Sequence, residues 1–468
     1  MSFTFDSRAL HSTHHKHHQH LLSSMADPSY QPPKEENVPV FKINLSLPPS
    51  ERYVALAEEY RDRLRGLRGL FDELITSISP KIPVKLVHWL AWAFLHRLYT
   101  KDETEEIRSI GRVTDIDIYL LVCLNTVLDL LMGCTSGGVR SKSSPDAPSK
   151  MLHFRTLDWT MDPLRDLIVQ LEFYHDSEPD KVVATSITYV GFVGVLTGVR
   201  KDLSASLNFR PVHDTKKNFA FYLNHLLALL GRRQSISSLL RECILPQSPD
   251  SKLAKLDDIV ANVPSMPTTA VYLIFSDGSK TVTMEKDVNT AVVCSSESFI
   301  VATNHDYQPD AVPADIVAQA KRGNHVGLSL VSPDAQFMAD LIEDSVDRRC
   351  FMQRRWYKKV RKMQESVRAS QESARKKSEE EDQRESLGSR TSQRLSEKRE
   401  EEKAERERIA ALDPSDESNV AVTRKELIFW LTAYPILNET THYAVVMDPA
   451  RGKPVWVKRY FVPETDGK

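Results

Sequence analysis

The feature that most constrains this chain is a change of texture at Gly133–Cys134. Ahead of it, "YLLVCLNTVLDLLM" is continuous apolar sequence of helical character; behind it, "CTSGG" opens a series of strand-like runs. These are "MLHFRTLDW", "DLIVQLEFYH", "VVATSITYVGFVGVLTGVR", "LSASLNFRP", "TAVYLIFSDG", "SKTVTMEKD" and "SFIVATNHD", rich in Val, Ile, Thr and aromatics. One helical stretch, "NFAFYLNHLLALLGRRQSISSLLREC", divides them. Strands, then helix, then strands predict a layered α+β domain with sheets packed face to face.

The flanks divide the 468 residues further. Residues 1–36 read as a disordered tail, and His14, His15, His17, His18 and His20 within it fit a polar tail better than a metal site. Residues 37–133 predict a short strand, "VFKIN", then a long amphipathic helix and further helices. Residues 134–355 carry the layered core. From 356 to 414 the sequence turns to Lys, Arg, Glu, Gln and Ser, predicting a solvated helix or disordered insertion without a coiled-coil seam. Residues 415–468 resume order with a helix and a hairpin turned at Pro449–Gly452.

A net charge of −2 gives the whole molecule no field that would gather nucleic acid. Five scattered cysteines with no Cys-x-x-Cys pair give no zinc knuckle and predict a reduced, intracellular chain. The N-terminus lacks the continuous apolar core of a signal peptide, so the expected location is the cytosol or a cytosolic membrane face. The run "PVKLVHWLAWAFLHRLY" is too short and too charged to span a bilayer. It suits either an acyl-chain entrance and membrane-surface contact or a helix buried in the core.

Cys134, at the seam, raises the chemical question. If the Gly133–Cys134 bond is cut, the new α-amine can take the thiol proton, so one residue supplies nucleophile and base. Such a site needs a carboxylate to orient the amine and donors for an oxyanion. Arg155 and Asp158, three apart in "HFRTLDW", lie beside the cysteine if the two strands form a hairpin around "RSKSSPDAPSK". On these residues alone Cys134 reads as a nucleophile or as a small buried hydrophobe.

"GCTS" followed by "HFRTLDW" resembles the acid ceramidase and N-acylethanolamine-hydrolysing acid amidase family. "VGFVGVLTGVR", "SLNFR", "VATNHDYQP" and "VDRR" are similar to further segments of that family in the same order, as are "FKINLSLPPSERY" and "LTAYPILNETTHYAVVMDPARG". The resemblance covers roughly residues 38–350 and 420–462. It implies a four-layer αββα N-terminal nucleophile hydrolase core, α+β in class, with a helical α-subunit-like region before it. It also implies self-cleavage into an α/β heterodimer and no cofactor. Cys134 would be the nucleophile, with Arg155 facing it and the substrate carbonyl. Asp158 would hold the α-amine, Asn304 would donate to the oxyanion, Arg348 would complete the polar network, and Asn208 would lie beside the substrate.

The implied activity is hydrolysis of the amide bond of an N-acylethanolamine or ceramide. The alternatives are an amidase of the same fold on another conjugated amide, and an inactive relative that binds lipid or protein. Departures from the family pattern are Phe209 where it has glutamate, the absence of subunit-bridging cysteines, and the charged insertion.

Overall fold

The computed structural model describes residues 33–66, 68–72, 83–127, 133–144, 147–211, 218–248, 251–307, 335–386, 404, 413 and 417–462. The N-terminal part holds β1 (Lys34–Glu36), β2 (Val40–Asn44), α1 (Val54–Glu59), α2 (Arg61–Leu64), α3 (Val84–Phe94), α4 (Lys101–Thr114) and α5 (Ile118–Val127). The middle holds β3 (Gly133–Ser141), β4 (Lys150–Asp158), β5 (Ile168–Tyr174), β6 (Ala184–Tyr189), β7 (Thr197–Arg200), β8 (Leu203–Phe209), α6 (Asn218–Leu229), α7 (Ile236–Ile244), α8 (Leu256–Asn262), β9 (Val271–Ser276), β10 (Thr281–Lys286), β11 (Ala291–Ser296) and β12 (Phe299–Ala302). The chain ends with α9 (Ala335–Ser386), α10 (Arg424–Leu431), β13 (Thr441–Asp448) and β14 (Lys453–Phe461).

The strands form two sheets, β1-β14-β13-β4-β3-β12 and β11-β10-β9-β8-β7-β6-β5-β2. Every pairing is antiparallel except β2 with β5. The sheets face each other, and β3 lies over β8 and β9. Polar pairs cross the gap: His153 sits 2.8 Å from both Ser204 Oγ and Ser206 Oγ, and Ser136 Oγ donates to Asn208 Oδ1 at 2.6 Å. Gly138 permits this approach, because a Cβ there would stand 1.9 Å from Thr281 Oγ1 on the opposite sheet.

Helices cover both outer faces. α7 packs on β7 and β8. On the other side Phe351, Met352, Trp356 and Val360 of α9, with Leu427 and Trp430 of α10, close over Val139, Leu152, Phe154 and Val446. The result is a four-layer αββα arrangement, as expected. The N-terminal part is woven into both sheets, β1 on β14 and β2 on β5. It is also pinned by a buried carboxylate: Glu106 accepts from Arg52 (3.0 Å) and from Arg241 of α7 (2.7 Å).

Several boundaries differ from the sequence reading. Lys34–Glu36 is strand, not tail. The expected long helix after Ser50 is broken at Tyr60, whose ring is buried and meets Phe41 edge-on at 5.7 Å. The helical stretch 218–243 is split by a turn at Gly231, with φ of 61°. The apolar run 190–196 is a buried loop, because its backbone groups are paired by side chains and a helix: Val193 N–H donates to Asn125 Oδ1, Val193 C=O accepts from Arg241, and Val195 N–H meets Ser237 C=O.

The boundary at 356 also moves. α9 is one helix of 52 residues, about 78 Å at 1.5 Å per residue. Trp356 stacks on Phe299 at 5.3 Å, and Val360 is buried. Solvated character begins only at Arg361, where the exposed pairs Arg361–Glu365, Glu372–Lys376 and Arg375–Glu379 run along the surface. Residues 1–32 and most of 387–416 lie outside the described residues, so the His-rich tail and the second half of the insertion are not placed. No described helix is long and apolar enough to cross a membrane.

Candidate active site

β3 and β4 form the expected hairpin, with Gly133 opposite Asp158 and Ser136 opposite Arg155. Cys134 is fully buried, and Arg155 Nη2 points at its Sγ from 3.4 Å. Arg155 is aimed by its other nitrogen, which donates to Leu196 C=O and to Thr197 Oγ1. Thr197 Oγ1 is in turn held at 2.8 Å by the Tyr443 hydroxyl, and the guanidinium lies 5.9 Å from the Tyr443 ring centroid. The loop carrying Leu196 and the strand carrying Tyr443 thus fix which way the cation faces.

Asn304 follows β12 and reaches the same point. Its Oδ1 accepts from Cys134 N–H at 2.9 Å and from Arg348 Nη2 at 3.0 Å. Its Nδ2 donates to Phe209 C=O at 2.8 Å. Arg348 Nη1 spans Thr135 Oγ1 (3.1 Å) and Asp158 Oδ2 (3.2 Å). Asp158 Oδ1 accepts from Thr441 Oγ1 at 2.8 Å. Asn208 braces the floor, accepting from Ser136 and donating to Ala302 C=O and Thr303 C=O. All six residues singled out in the sequence therefore meet in one buried network, Arg348 included, although α9 brings it from 44 residues beyond Asn304.

Two details differ from the expected roles. In the intact chain Cys134 N–H is held by Asn304, while Asp158 contacts it only through Arg348 and stands opposite Gly133. The Asn304 amide nitrogen donates one of its two hydrogens to Phe209 C=O, while its oxygen is the acceptor toward Cys134 N–H in the intact chain. Residues not singled out in the sequence also contribute: Thr197, Thr441 and Tyr443 lie within family-like segments, and the fold shows what each of them touches.

Burial sets the electrostatics. It pushes the Cys134 thiol above its usual range, and the adjacent Arg155 pulls the other way. Burial raises the Asp158 carboxyl to about 6, opposed by Arg348 and the Thr441 hydroxyl. Two cations and one carboxylate around a thiol suit stabilising a thiolate and a developing oxyanion. Among the described residues no cluster of His, Cys, Asp and Glu is arranged to hold a metal ion.

Comparison with known proteins meets this geometry from the other side. A family model described as the beta subunit of N-acylethanolamine-hydrolyzing acid amidase matches residues 36–99. An N-acylethanolamine-hydrolyzing acid amidase of Caenorhabditis elegans is 28% identical over 36% of this chain and 47% of its own length. Acid ceramidases of Heterocephalus glaber and Mus musculus are 27% and 30% identical, each over 39% of this chain and 47% of the relative. The chain is thus similar to members of the acid ceramidase and N-acylethanolamine-hydrolysing acid amidase family. It spans about half the length of these family members. The model's label names as beta subunit the segment termed α-subunit-like above; the residues are the same helical part before Gly133. A solved Caenorhabditis elegans N-acylethanolamine-hydrolyzing acid amidase ortholog aligns at 15% identity and TM-score 0.36, covering 68% of this chain and 93% of that one, too loosely to bear on the fold.

Proposed function

We propose that this chain is a cysteine N-terminal nucleophile amidase that hydrolyses the amide bond of a lipid, an N-acylethanolamine or a ceramide, after cutting its own Gly133–Cys134 bond. The observation that carries this reading is Arg155 Nη2 at 3.4 Å from a buried Cys134 Sγ whose backbone N–H is held by Asn304. In self-cleavage the thiol attacks the Gly133 carbonyl, the acyl group passes from nitrogen to sulfur, and water releases it to leave a free α-amine on Cys134. In turnover that amine takes the thiol proton and the thiolate attacks the lipid amide carbonyl. The amine product leaves with a proton, and water hydrolyses the remaining acyl thioester. Release of fatty acid from a fluorescent N-acyl amide, with a ceramide analogue alongside, tests the reading; an inert chain would overturn it.

Asp158 gives this mechanism a pH signature. With its carboxyl raised to about 6, the group is neutral below that pH and anionic above it. Only the anion accepts from both Arg348 and Thr441 and attracts an ammonium at residue 134. Activity should therefore rise as pH increases through about 6, by about tenfold per unit on the acid side. Asp158→Asn should slow turnover and remove that limb. A rate that instead falls from pH 5 to 7 would show that the neutral acid is the working form.

A surface suited to lipid supports the same substrate class. On α3, Leu86, Trp89, Leu90, Trp92 and Phe94 are exposed, and on α6 so are Phe219, Leu223 and Leu226. Both helices pack on α5. The exposed apolar face supports contact with a bilayer surface that presents the substrate over the buried-helix alternative. Trp89→Ser with Trp92→Ser should weaken sedimentation with phospholipid vesicles by about tenfold or more, given the area each ring would bury. Unchanged binding would place the lipid contact elsewhere.

A further inference from the structure

We infer that Ser345 is a positioning residue of this site, acting through Asn304. It lies on α9 one turn before Arg348, so both side chains leave the helix on the same face. The hydroxyl is fully buried and saturated. It accepts from Asn304 N–H at 2.6 Å, meets His305 Nδ1 at 2.7 Å and donates to Thr303 Oγ1 at 2.9 Å. Burial, with Arg349 and Arg348 nearby, pushes the His305 imidazole down to about 2, so the ring is neutral; with Ser345 Oγ–H spent on Thr303, the contact at Nδ1 is satisfied by the tautomer that carries its hydrogen there. Arg349 completes the clamp by donating to His305 C=O and Asp306 C=O.

The turn Thr303–Asp306 is thus gripped by three residues of one helix, Ser345, Arg348 and Arg349, and its Asn304 side chain reaches Cys134 N–H. Arg348 fixes the Asn304 side chain and Ser345 fixes its backbone. Removing the Ser345 hydroxyl takes from Asn304 N–H its acceptor at 2.6 Å and leaves Thr303 Oγ1 and His305 Nδ1 with their mutual contact at 3.2 Å in place of the three-way one. The turn then has to relax away from α9 to reach other partners, and Oδ1 moves off the residue 134 amide. This deepens the proposed function, since the turn it holds is the one that presents Asn304 to the nucleophile.

The test separates the clamp from the chemistry. In the full-length, uncleavable C134A chain, S345A should speed hydrogen exchange at the residue 134 amide by about tenfold or more while leaving the amides of β9 unchanged. S345T, which keeps the hydroxyl, should restore protection. In the cleavage-competent chain S345A should slow self-cleavage by about 10- to 100-fold, the scale of a small misplacement of reacting groups, and lower kcat with little change in KM. An unaltered amide in S345A overturns the inference, and so does faster exchange spread equally through β9. A parent chain that neither cuts itself nor hydrolyses amides, yet shows the S345A effect at residue 134, overturns the hydrolase reading and upholds the clamp.

Discussion

Cys134→Ala is expected to yield a single uncut chain with no amide hydrolysis. The side chain is buried in the central hydrophobic cluster and, among the described residues, shows no hydrogen bond other than that from Arg155. Its loss takes the sulfur from the buried Arg155 Nη2, so it should cost about 1–3 kcal/mol of stability while leaving the fold in place. Circular dichroism and thermal melting should stay close to the parent while both reactions disappear, because one thiol serves both. Cys134→Ser should retain the geometry with a weaker nucleophile, so slow cleavage should be measurable over days. Cleavage at 133–134 in the alanine variant would assign the cut to another protease.

Asn304→Ala should depress turnover by about two to three orders of magnitude, the cost of losing one preorganised group at the reacting centre. The geometry adds a sharper comparison. In the intact chain Asn304 Oδ1 is the acceptor for Cys134 N–H, whereas its Nδ2 donates one of its two hydrogens to Phe209 C=O. Asn304→Asp keeps an acceptor beside Arg348 and removes the donor. If the acceptor positions the scissile bond, the aspartate variant should still cut itself, within about tenfold of the parent by analogy with other supporting contacts. If the amide donates to the oxyanion during lipid hydrolysis, its turnover should fall as far as that of the alanine variant. Retained self-cleavage with lost turnover would assign the two roles to the two ends of one side chain. Parent-like turnover in Asn304→Ala would remove Asn304 from the chemistry.

The chain's layered fold could be read from runs rich in Val, Ile, Thr and aromatics, and the β3–β4 hairpin from two such runs flanking a polar loop. Places where burial and secondary structure part company were not legible in this way. Val190, Phe192, Val193, Val195 and Leu196 are as buried as any strand, yet form a loop, because Asn125 and Arg241, distant in sequence, satisfy its backbone. Composition shifted at 356 before packing did, since a helix can turn charged on its outer face while Trp356 and Val360 still face a sheet.

The site divides along the same line. Arg155 and Asp158 are local to the nucleophile through the hairpin, so spacing alone could nominate them. Asn304 and Arg348 required the family resemblance, because nothing in a turn asparagine or a helical Arg-Arg pair states what it faces. Ser345 lay outside every family-like segment, and Thr441 lay inside one without being singled out. A serine in "EDSVDRR" and a threonine in "NETTHY" acquire roles only when α9 and β13 approach the hairpin.

The central claim is that Cys134 becomes an N-terminal nucleophile. Intact-mass spectrometry of the purified wild-type chain, with N-terminal sequencing of each fragment, tests it most directly. Self-cleavage predicts a fragment ending at Gly133 and a second beginning with Cys134, appearing together with amidase activity. A full-length chain that hydrolyses N-acyl amides at an undiminished rate would contradict it.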